Sequence, residues 1–356
     1  MSKGIMADGS LTIGLDLGDK YSEACVLEGS GEVLESFRVR TSQAALDRAF
    51  ARFGASRVVL EVGTHSPWVS RLLARQGHEV IVANPRRVRL IAESDAKSDS
   101  FDAEVLARLG RVDPVLLSPI VHRGEEAQRH LVLLRARDGL VRAGTLLVNQ
   151  VRGFAKSLGS RLPSSSSEAF PKRVRSAVAE DLFPGLGRML GMIEQLTEEV
   201  RRMDREVERL CKERYPETEV LRQVKGVGPI TALCFMLTLE DPNRFRRSRS
   251  VGPYLGLRPR QRDSGEQRPQ LRITKAGDEF LRRLLVSAAH YILGPFGPDT
   301  ELRRFGLRLA ERGGKVAQKR AVVAVARRLA VLLHRLWVTG EEYQPLGYDA
   351  AMAKAA

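Results

Sequence analysis

The chain has 356 residues, of which 43% are hydrophobic and 28% charged, and its formal net charge at pH 7 is +15. This length is too great for one small core and predicts two or three domains. So large a positive charge favours a polyanionic partner, nucleic acid before a membrane surface. No apolar run is long enough to cross a bilayer, and the three scattered cysteines suit neither a disulfide framework nor a zinc knuckle. With no apolar signal segment at its start, the chain is predicted to be a cytoplasmic protein that handles nucleic acid, without a membrane partner.

The first segment, residues 1–118, has the pattern of a mixed α/β sheet. Three short apolar stretches come first, and then helix, strand, helix and strand alternate. Strands are predicted at 11–18, 21–27, 33–39, 57–63 and 79–85, with helices at 43–53 and 67–76.

Four acidic residues of this segment are candidates for one site. Asp16 and Glu61 lie in apolar strands, where a carboxylate is costly unless it is paired or bound to a cation. Asp99 and Asp102 are three residues apart in a helix that Ser98 is predicted to cap, so they share a face. Each acid alone fits a structural role: a strand end, an arginine partner or a solvated helix start. If all four converge at one end of the sheet, their oxygens suit Mg²⁺ or Mn²⁺, which organise phosphoryl transfer.

The middle segment, residues 119–215, is predicted to be helical. A long helix is expected at 125–158, and a second helix carries apolar residues that alternate by three and four. That seam consists of Leu186, Met189, Ile193, Leu196, Val200, Met203, Val207 and Leu210. It fits equally an antiparallel arm, packed against the preceding helix, and a contact between subunits.

The last segment, residues 216–338, begins with the pattern of a helix-hairpin-helix at 221–232. Lys225, Gly226 and Gly228 lie in its turn, whose amides at a helix N-terminus can hold a backbone phosphate. The alternative is a simple glycine turn between packed helices. The charge of the chain favours the phosphate contact.

A basic region follows, with twelve Arg or Lys residues and four acids between Arg244 and Arg283. Such density, mixed with aromatic residues, indicates a nucleic-acid surface. The candidate contacts are Arg246, Arg247, Arg258, Arg260, Arg262, Arg268, Arg272 and Lys275. Ser264 lies within this region before Gly265, and on the residues alone a turn is the better interpretation. The alternative is an exposed hydroxyl that attacks a phosphodiester while arginines stabilise the added charge.

The end of the chain contains few candidate functional residues. A helix at 317–337 is predicted to close the last core, His290 and His334 are interpreted as packing residues, and 339–356 is expected to be a frayed tail.

These motifs together resemble one known family. The order Gly-x-Asp, Val-Val-Leu-Glu and Lys-Ser-Asp-x-x-Asp-Ala resembles the RuvC-like (RNase H-like) DEDD set. It is most similar to the DEDD-type insertion-sequence transposases, relatives of the Piv invertases and the bridge-RNA-guided recombinases. The motifs at 251–259, 263–265, 272–277 and 281–289 are similar to the C-terminal transposase domain of that family.

The resemblance implies a fold, a mechanism and partners. It implies a RuvC-like α/β domain, a helical coiled-coil arm and a mainly α C-terminal domain with a helix-hairpin-helix. Asp16, Glu61, Asp99 and Asp102 would hold Mg²⁺ or Mn²⁺, and Ser264 would be the nucleophile, with Ser248 and Ser250 as the other candidates. Acids of one subunit would work with the serine of another in a dimer or tetramer, and a structured guide RNA would pair with donor and target DNA.

We therefore interpret the chain as a DNA transposase or recombinase that forms a phosphoserine intermediate. No Walker-type glycine loop indicates an ATP requirement. Two alternatives remain at this stage. One is a metal-dependent nuclease or resolvase in which Ser264 is structural, and the other is a non-catalytic nucleic-acid-binding protein.

Overall fold

The computed structural model describes residues 11–86, 99–177, 183–262, 264, 269 and 271–347. The chain divides into two compact units, Met1–Arg123 and Gly124–Ala356. Ser98 and Arg268, both singled out by the sequence, lie outside the described residues. Among the helices of the described part, none is long and apolar enough to cross a membrane.

The first unit is a mixed α/β sheet domain, as the sequence predicts. Its strands are β1 (Thr12–Asp16), β2 (Tyr21–Leu27), β3 (Val33–Arg40), β4 (Arg57–Glu61) and β5 (Glu79–Ala83). Its helices are α1 (Gln43–Phe50), α2 (Ser66–Arg75) and α3 (Asp99–Val112).

The sheet has the strand order β3-β2-β1-β4-β5. β1, β2 and β3 are antiparallel neighbours, whereas β4 runs parallel to β1 and β5 runs parallel to β4. Ile13, Leu15 and Leu60 pack on one face in a core with residues of α1 and α2. Because side chains alternate along a strand, residues 14, 16, 59 and 61 face the opposite side, which α3 covers.

The second unit is mostly helical. In chain order its helices are α4 (Glu125–Ser157), α5 (Phe170–Arg175), α6 (Phe183–Glu213), α7 (Thr218–Arg222), α8 (Pro229–Leu239), α9 (Val251–Tyr254), α10 (Glu279–Leu293), α11 (Glu301–Ala310) and α12 (Gly314–Thr339).

Helices α4 and α6 pack against each other within the chain. Leu131 and Leu134, early in α4, share a core with Val207, late in α6. Val151, late in α4, shares another core with Ile193, early in α6. The two helices are therefore antiparallel, and both ends of the apolar seam of α6 are used inside one chain.

A large core joins the remaining helices of the second unit. Helix α8 is buried from Thr231 through Leu239 and packs with residues of α10 and α12. Two expectations are corrected here. His290 is exposed, because it faces away from this core near the end of α10. Residues 340–347 do not fray, since Tyr343 is 9% exposed in the core and its backbone N–H donates to Gln223.

Candidate active site

Asp16 and Glu61 end neighbouring strands at the same edge of the sheet. Leu15 pairs with Leu60 in the parallel register of β1 and β4, so the next residue on each strand is an acid. Both carboxylates are half-buried. Parallel strands bring their carboxyl ends to one edge, which is why two acids 45 residues apart in the sequence become neighbours.

A close crossing of α3 over β1 adds the other two acids. Gly14 lies under α3, where a Cβ would come 1.9 Å from the carbonyl oxygen of Ala103. No side chain larger than hydrogen fits there without moving the helix. Asp99 and Asp102 form the first turn of this helix, so the absent Cβ of Gly14 lets the helix start approach the strand end.

The electrostatics show that the other three carboxylates are near enough to act on Asp16. The pKa of Asp16 is raised to about 6, first by burial and then by the negative charges of Asp102, Asp99 and Glu61. A hydrogen bond from the backbone of Leu17 opposes this shift. Like charges so close to a desolvated carboxyl favour its neutral form unless a cation compensates them.

This donor set fits a divalent metal by its chemistry. Four carboxylates supply hard oxygen ligands, and a cation among them would relieve the repulsion that raises the pKa of Asp16. In the described part of the chain, no three His, Cys, Asp or Glu side chains are already arranged as a set of metal ligands.

The same edge carries two residues that the sequence analysis did not select. His65 follows β4 and Asp19 follows β1, and Nε2 of His65 lies 3.5 Å from Oδ1 of Asp19. The indole N–H of Trp68 donates to Nδ1 of His65, 3.1 Å away, which leaves the proton on Nε2. The only sequence signal was their position after the strands that end in acids.

In the second unit, Ser264 belongs to a hairpin that follows α9. Residues 256–262 and 271–275 run antiparallel, with Pro259 opposite Ile273. We call this segment, residues 256–277, the serine hairpin. Ser264 lies between the two stems and is exposed.

Glycine packing and a buried arginine fix the base of the serine hairpin. A Cβ on Gly256, whose φ is +70°, would lie 2.3 Å from the backbone nitrogen of Ala276. A Cβ on Gly277 would lie 2.1 Å from the carbonyl oxygen of Tyr254. The buried guanidinium of Arg282 donates to the carbonyls of Leu255 and Ala276 and so ties the two stems together. These contacts give a physical reason for the glycines in the motifs at 251–259 and 272–277.

The basic residues predicted to contact nucleic acid are on the surface. All of those in the described part are exposed: Arg246, Arg247, Arg258, Arg260, Arg262, Arg272 and Lys275. Lys225 and Gly228 are exposed at the turn between α7 and α8, and Gly226 adopts φ +97°. Gly228 precedes α8 without a side-chain cap, so backbone amides at that helix start are available to a ligand.

The two other serine candidates differ from Ser264 and from each other. Ser250 is exposed, whereas Ser248 is half-buried and hydrogen-bonded to His334. Nε2 of His334 donates to the carbonyl of Pro242 over 2.8 Å, and burial lowers the pKa of this imidazole. Its Nδ1 therefore accepts the proton of the Ser248 hydroxyl, 3.0 Å away. His334 is thus a buried residue that is hydrogen-bonded on both nitrogens, which agrees with its interpretation as a packing residue.

Comparison with known proteins identifies the family. A family model described as a DEDD transposase of IS110 matches residues 13–158, and one described as Transposase IS116/IS110/IS902 family matches residues 218–301. The transposase for insertion sequence element IS1328 of Yersinia enterocolitica is 31% identical over 282 residues, 78% of this chain and 82% of that protein. The chain belongs to this family of insertion-sequence transposases.

Two further relatives are also similar to this chain over most of its length. The transposase for insertion sequence element IS1111A of Coxiella burnetii is 27% identical over 340 residues, 93% of this chain and 91% of that protein. The pilin gene-inverting protein of Moraxella bovis is 22% identical over 283 residues, 77% of each chain.

The matched ranges of the transposase coincide with the two candidate centres. The first range contains all four acids, and the second contains the turn at Gly226, the serine hairpin and Arg282. The enzyme is a DNA transposase. Its first matched region covers the first unit from residue 13 and continues through α4 of the second unit. Its second matched region lies wholly in the second unit.

Proposed function

We propose that this transposase cuts and rejoins DNA through a covalent phosphoserine intermediate formed at Ser264. The observation that carries the proposal is the convergence of Glu61, Asp99 and Asp102 on Asp16, a set of four carboxylates that suits a phosphoryl-transfer metal site. The exposed position of Ser264 among exposed arginines is the second support, because a phosphodiester must reach the hydroxyl.

The reaction balances without another substrate. The Oγ of Ser264 forms a bond to phosphorus as one P–O bond of the DNA breaks, which leaves a free hydroxyl on the departing strand. The serine proton passes, through water, to the departing oxygen, which becomes that hydroxyl. A hydroxyl of the incoming strand then attacks the phosphoserine and releases the serine, so the phosphoester energy is kept and no ATP is needed.

The carboxylates are proposed to act through a divalent metal. Asp16, Glu61, Asp99 and Asp102 would hold Mg²⁺ or Mn²⁺, which, when bound, stabilises negative charge on the phosphate. The RuvC-like character of this domain belongs to the same proposal, supported by the sheet of three antiparallel strands with β4 and β5 parallel.

Ser264 is preferred over Ser248 because of access. The Ser248–His334 pair has the geometry of a base-activated hydroxyl. Yet His334 is 1% exposed and the ring of Phe245 lies against it, with centroids 5.6 Å apart. The pair fastens the 3₁₀ turn at Ser248–Ser250 to α12, and we assign it a structural role.

Partners complete the proposal. A structured guide RNA would pair with donor and target DNA while the protein contributes charge and shape. The active assembly would be a dimer or tetramer with acids and serine from different subunits. The half-buried middle of the α6 seam, at Leu196, Val200 and Met203, supports the coiled-coil arm as one contact between subunits.

A denaturing gel tests the chemistry. Protein is incubated with element-end DNA, Mg²⁺ and RNA from the element flanks, and wild type is compared with the Ser264→Ala, Asp102→Ala and Ser248→Ala variants. A protease-sensitive DNA adduct is expected with wild type and Ser248→Ala only. Free nicked DNA that persists in Ser264→Ala would instead identify a metal-dependent nuclease without serine chemistry.

A further inference from the structure

A groove of about 1200 Å³ lies between the serine hairpin and helices α11 and α12. It is larger than the pockets of about 300–1,000 Å³ that take a drug-sized molecule, so it has room for an extended ligand. Its lining combines apolar side chains from three elements with a cationic rim. The apolar residues used below are Ile273 of the hairpin, Phe305 of α11, and Val316 and Val323 of α12.

The positive charge of the rim favours an anionic ligand. Among the described residues that line the groove, eight are Arg or Lys and one, Glu301, is acidic. Glu301 can neutralise at most one of these charges, so the groove keeps a strong positive field. Six of the eight cations, Arg249 and the five in the segment from Arg312 to Arg328, were not among the nucleic-acid contacts predicted from the sequence.

Helix α12 presents both chemistries on one face. Val316, Arg320, Val323 and Arg327 follow one another at spacings of four, three and four residues, which places them along a single stripe. Val316 is 61% exposed, a large exposure for a valine at a helix start. The stripe thus alternates apolar and cationic groups along the groove.

That alternation distinguishes an unpaired strand from a duplex. A duplex presents phosphates and sugars but stacks the faces of its bases inside, so its bases cannot contact the apolar side chains of the groove. An unpaired strand presents phosphates to cations and base faces to apolar and aromatic groups. The guanidinium of Arg328 lies 3.7 Å from the centroid of the half-buried Phe305 ring, and this stacked pair offers a planar guanidinium on which a base can stack.

The serine hairpin connects the groove to the strand that is cut. Pro259 and Ile273, opposite each other in its stems, line the groove, and Ser264 lies between those stems. We infer that the groove holds an unpaired segment of the DNA strand next to the phosphate that is cut. This inference rests on the proposed function only for the position of that phosphate.

Binding in the absence of catalysis tests the charge part of the inference. The Ser264→Ala protein in EDTA is titrated against fluorescein-labelled 20-nucleotide DNA, the same DNA as a duplex, and the same sequence as RNA, by anisotropy. Lys319→Ala/Arg320→Ala should weaken single-stranded DNA binding about tenfold and lower its salt slope by about 1.4, since each lost phosphate contact contributes about 0.7. The control is Arg308→Ala/Lys315→Ala, which removes two exposed cations of α11 and α12 outside the groove.

A second pair of variants tests the apolar floor. Val316→Ser should weaken single-stranded DNA binding about threefold and leave duplex binding unchanged. Val338→Ser is the matched control, since Val338 is 49% exposed on the same helix away from the groove. With 2-aminopurine in the strand, stacking should quench its fluorescence, and Phe305→Leu should remove the quenching while circular dichroism shows an unchanged fold.

Each contrary result overturns the inference. Equal losses in the variants and their controls, or equal losses for duplex and single strand, would show general charge attraction. Larger losses for RNA than for DNA would assign the groove to RNA. Because binding is measured without metal or nucleophile, a failure here leaves the adduct on the denaturing gel intact, whereas a missing adduct with normal groove binding would refute the serine chemistry alone.

Discussion

The two candidate centres are built in opposite ways. The acids lie on a strand end, a neighbouring strand end and a helix start, and backbone packing at Gly14 fixes the distance between helix and sheet. Ser264 lies between the stems of a hairpin, exposed, and only the base of that hairpin is held by close packing. One centre is set by the packing of its unit, whereas the other is an exposed residue between hairpin stems.

This difference matches the work proposed for each centre. A metal site needs several ligands at fixed separations, which a sheet edge and a packed helix provide. A nucleophile that attacks one strand and then releases it to another needs access more than rigidity. The contrast predicts that the two centres fail differently when they are altered.

The largest expected effect comes from mixing two inactive variants. Asp102→Ala lacks an acid and Ser264→Ala lacks the nucleophile, so neither alone should form the DNA adduct. If acids and serine come from different subunits, mixed dimers contain one intact site, and the mixture should recover about a quarter of wild-type sites. The measurement is adduct yield after subunit exchange.

A double variant provides the control for this mixing experiment. Asp102→Ala/Ser264→Ala mixed with Ser264→Ala has no intact serine and should give no adduct. If the first mixture also stays inactive although the subunits exchange, both centres must come from one chain.

The next effect concerns the centre formed by Asp16, Glu61, Asp99 and Asp102, which we call the rigid centre. Gly14→Ala places a methyl group 1.9 Å from the carbonyl oxygen of Ala103 and should lower the free energy of unfolding by about 3 kcal/mol, at the upper end for overpacking. Thermal unfolding and the stabilisation by Mg²⁺ would both report the displaced helix. Gly54→Ala is the control, because its Cβ would meet no atom within 4 Å. Equal stability of the two variants would show that α3 does not depend on this crossing.

The serines give a third, smaller contrast. Ser248→Ala removes the donor to buried Nδ1 of His334 and should cost about 1–2 kcal/mol of stability while the adduct still forms. Ser264→Ala should stay within about 0.5 kcal/mol of wild type, because the side chain is exposed, and lose the adduct. Urea unfolding beside the denaturing gel measures both. The opposite pattern would make Ser248 the nucleophile.

Much of the first unit follows from its sequence. Alternating strands and helices predict the sheet, whereas the shared edge of Asp16 and Glu61 was conditional on their strands being neighbours, which the parallel pairing of β1 and β4 provides. The role of Gly14 was not predictable, because a glycine in a strand does not reveal which backbone crosses it. Asp19 and His65 were missed for a similar reason, since they meet only after two loops have folded.

The second unit was predicted in outline and missed in its contacts. The long helices follow from apolar spacing, but Ser248 and His334 are 86 residues apart and meet only in the tertiary fold. The groove likewise combines residues from Arg249 to Val331, whose shared surface no local pattern encodes. His290 was misplaced because apolar neighbours in α10 do not fix which side of the helix its last turn presents.

The smallest expected effect returns to the charge of the rigid centre. The pKa of Asp16 is about 6 in the fold against an ordinary value of 3.8, so the folded protein binds the extra proton between those values. Stability of the metal-free protein should therefore fall as pH rises from about 4 to 6 and then level off. Asp16→Asn removes this penalty, so the variant should match wild type below pH 4 and exceed it above pH 6. The half-buried carboxyl is screened by water, which limits the gain to below about 1 kcal/mol.

Added Mg²⁺ should reverse that order. At pH 7.5 the metal should raise the melting temperature of wild type, because it binds the folded state, and leave Asp16→Asn nearly unchanged. Differential scanning calorimetry of both proteins at pH 4 and 7.5, with and without Mg²⁺, measures these melting temperatures. A variant that gains as much from the metal as wild type would remove Asp16 from the ligand set, and the rigid centre would then have to be rebuilt around Glu61, Asp99 and Asp102 alone.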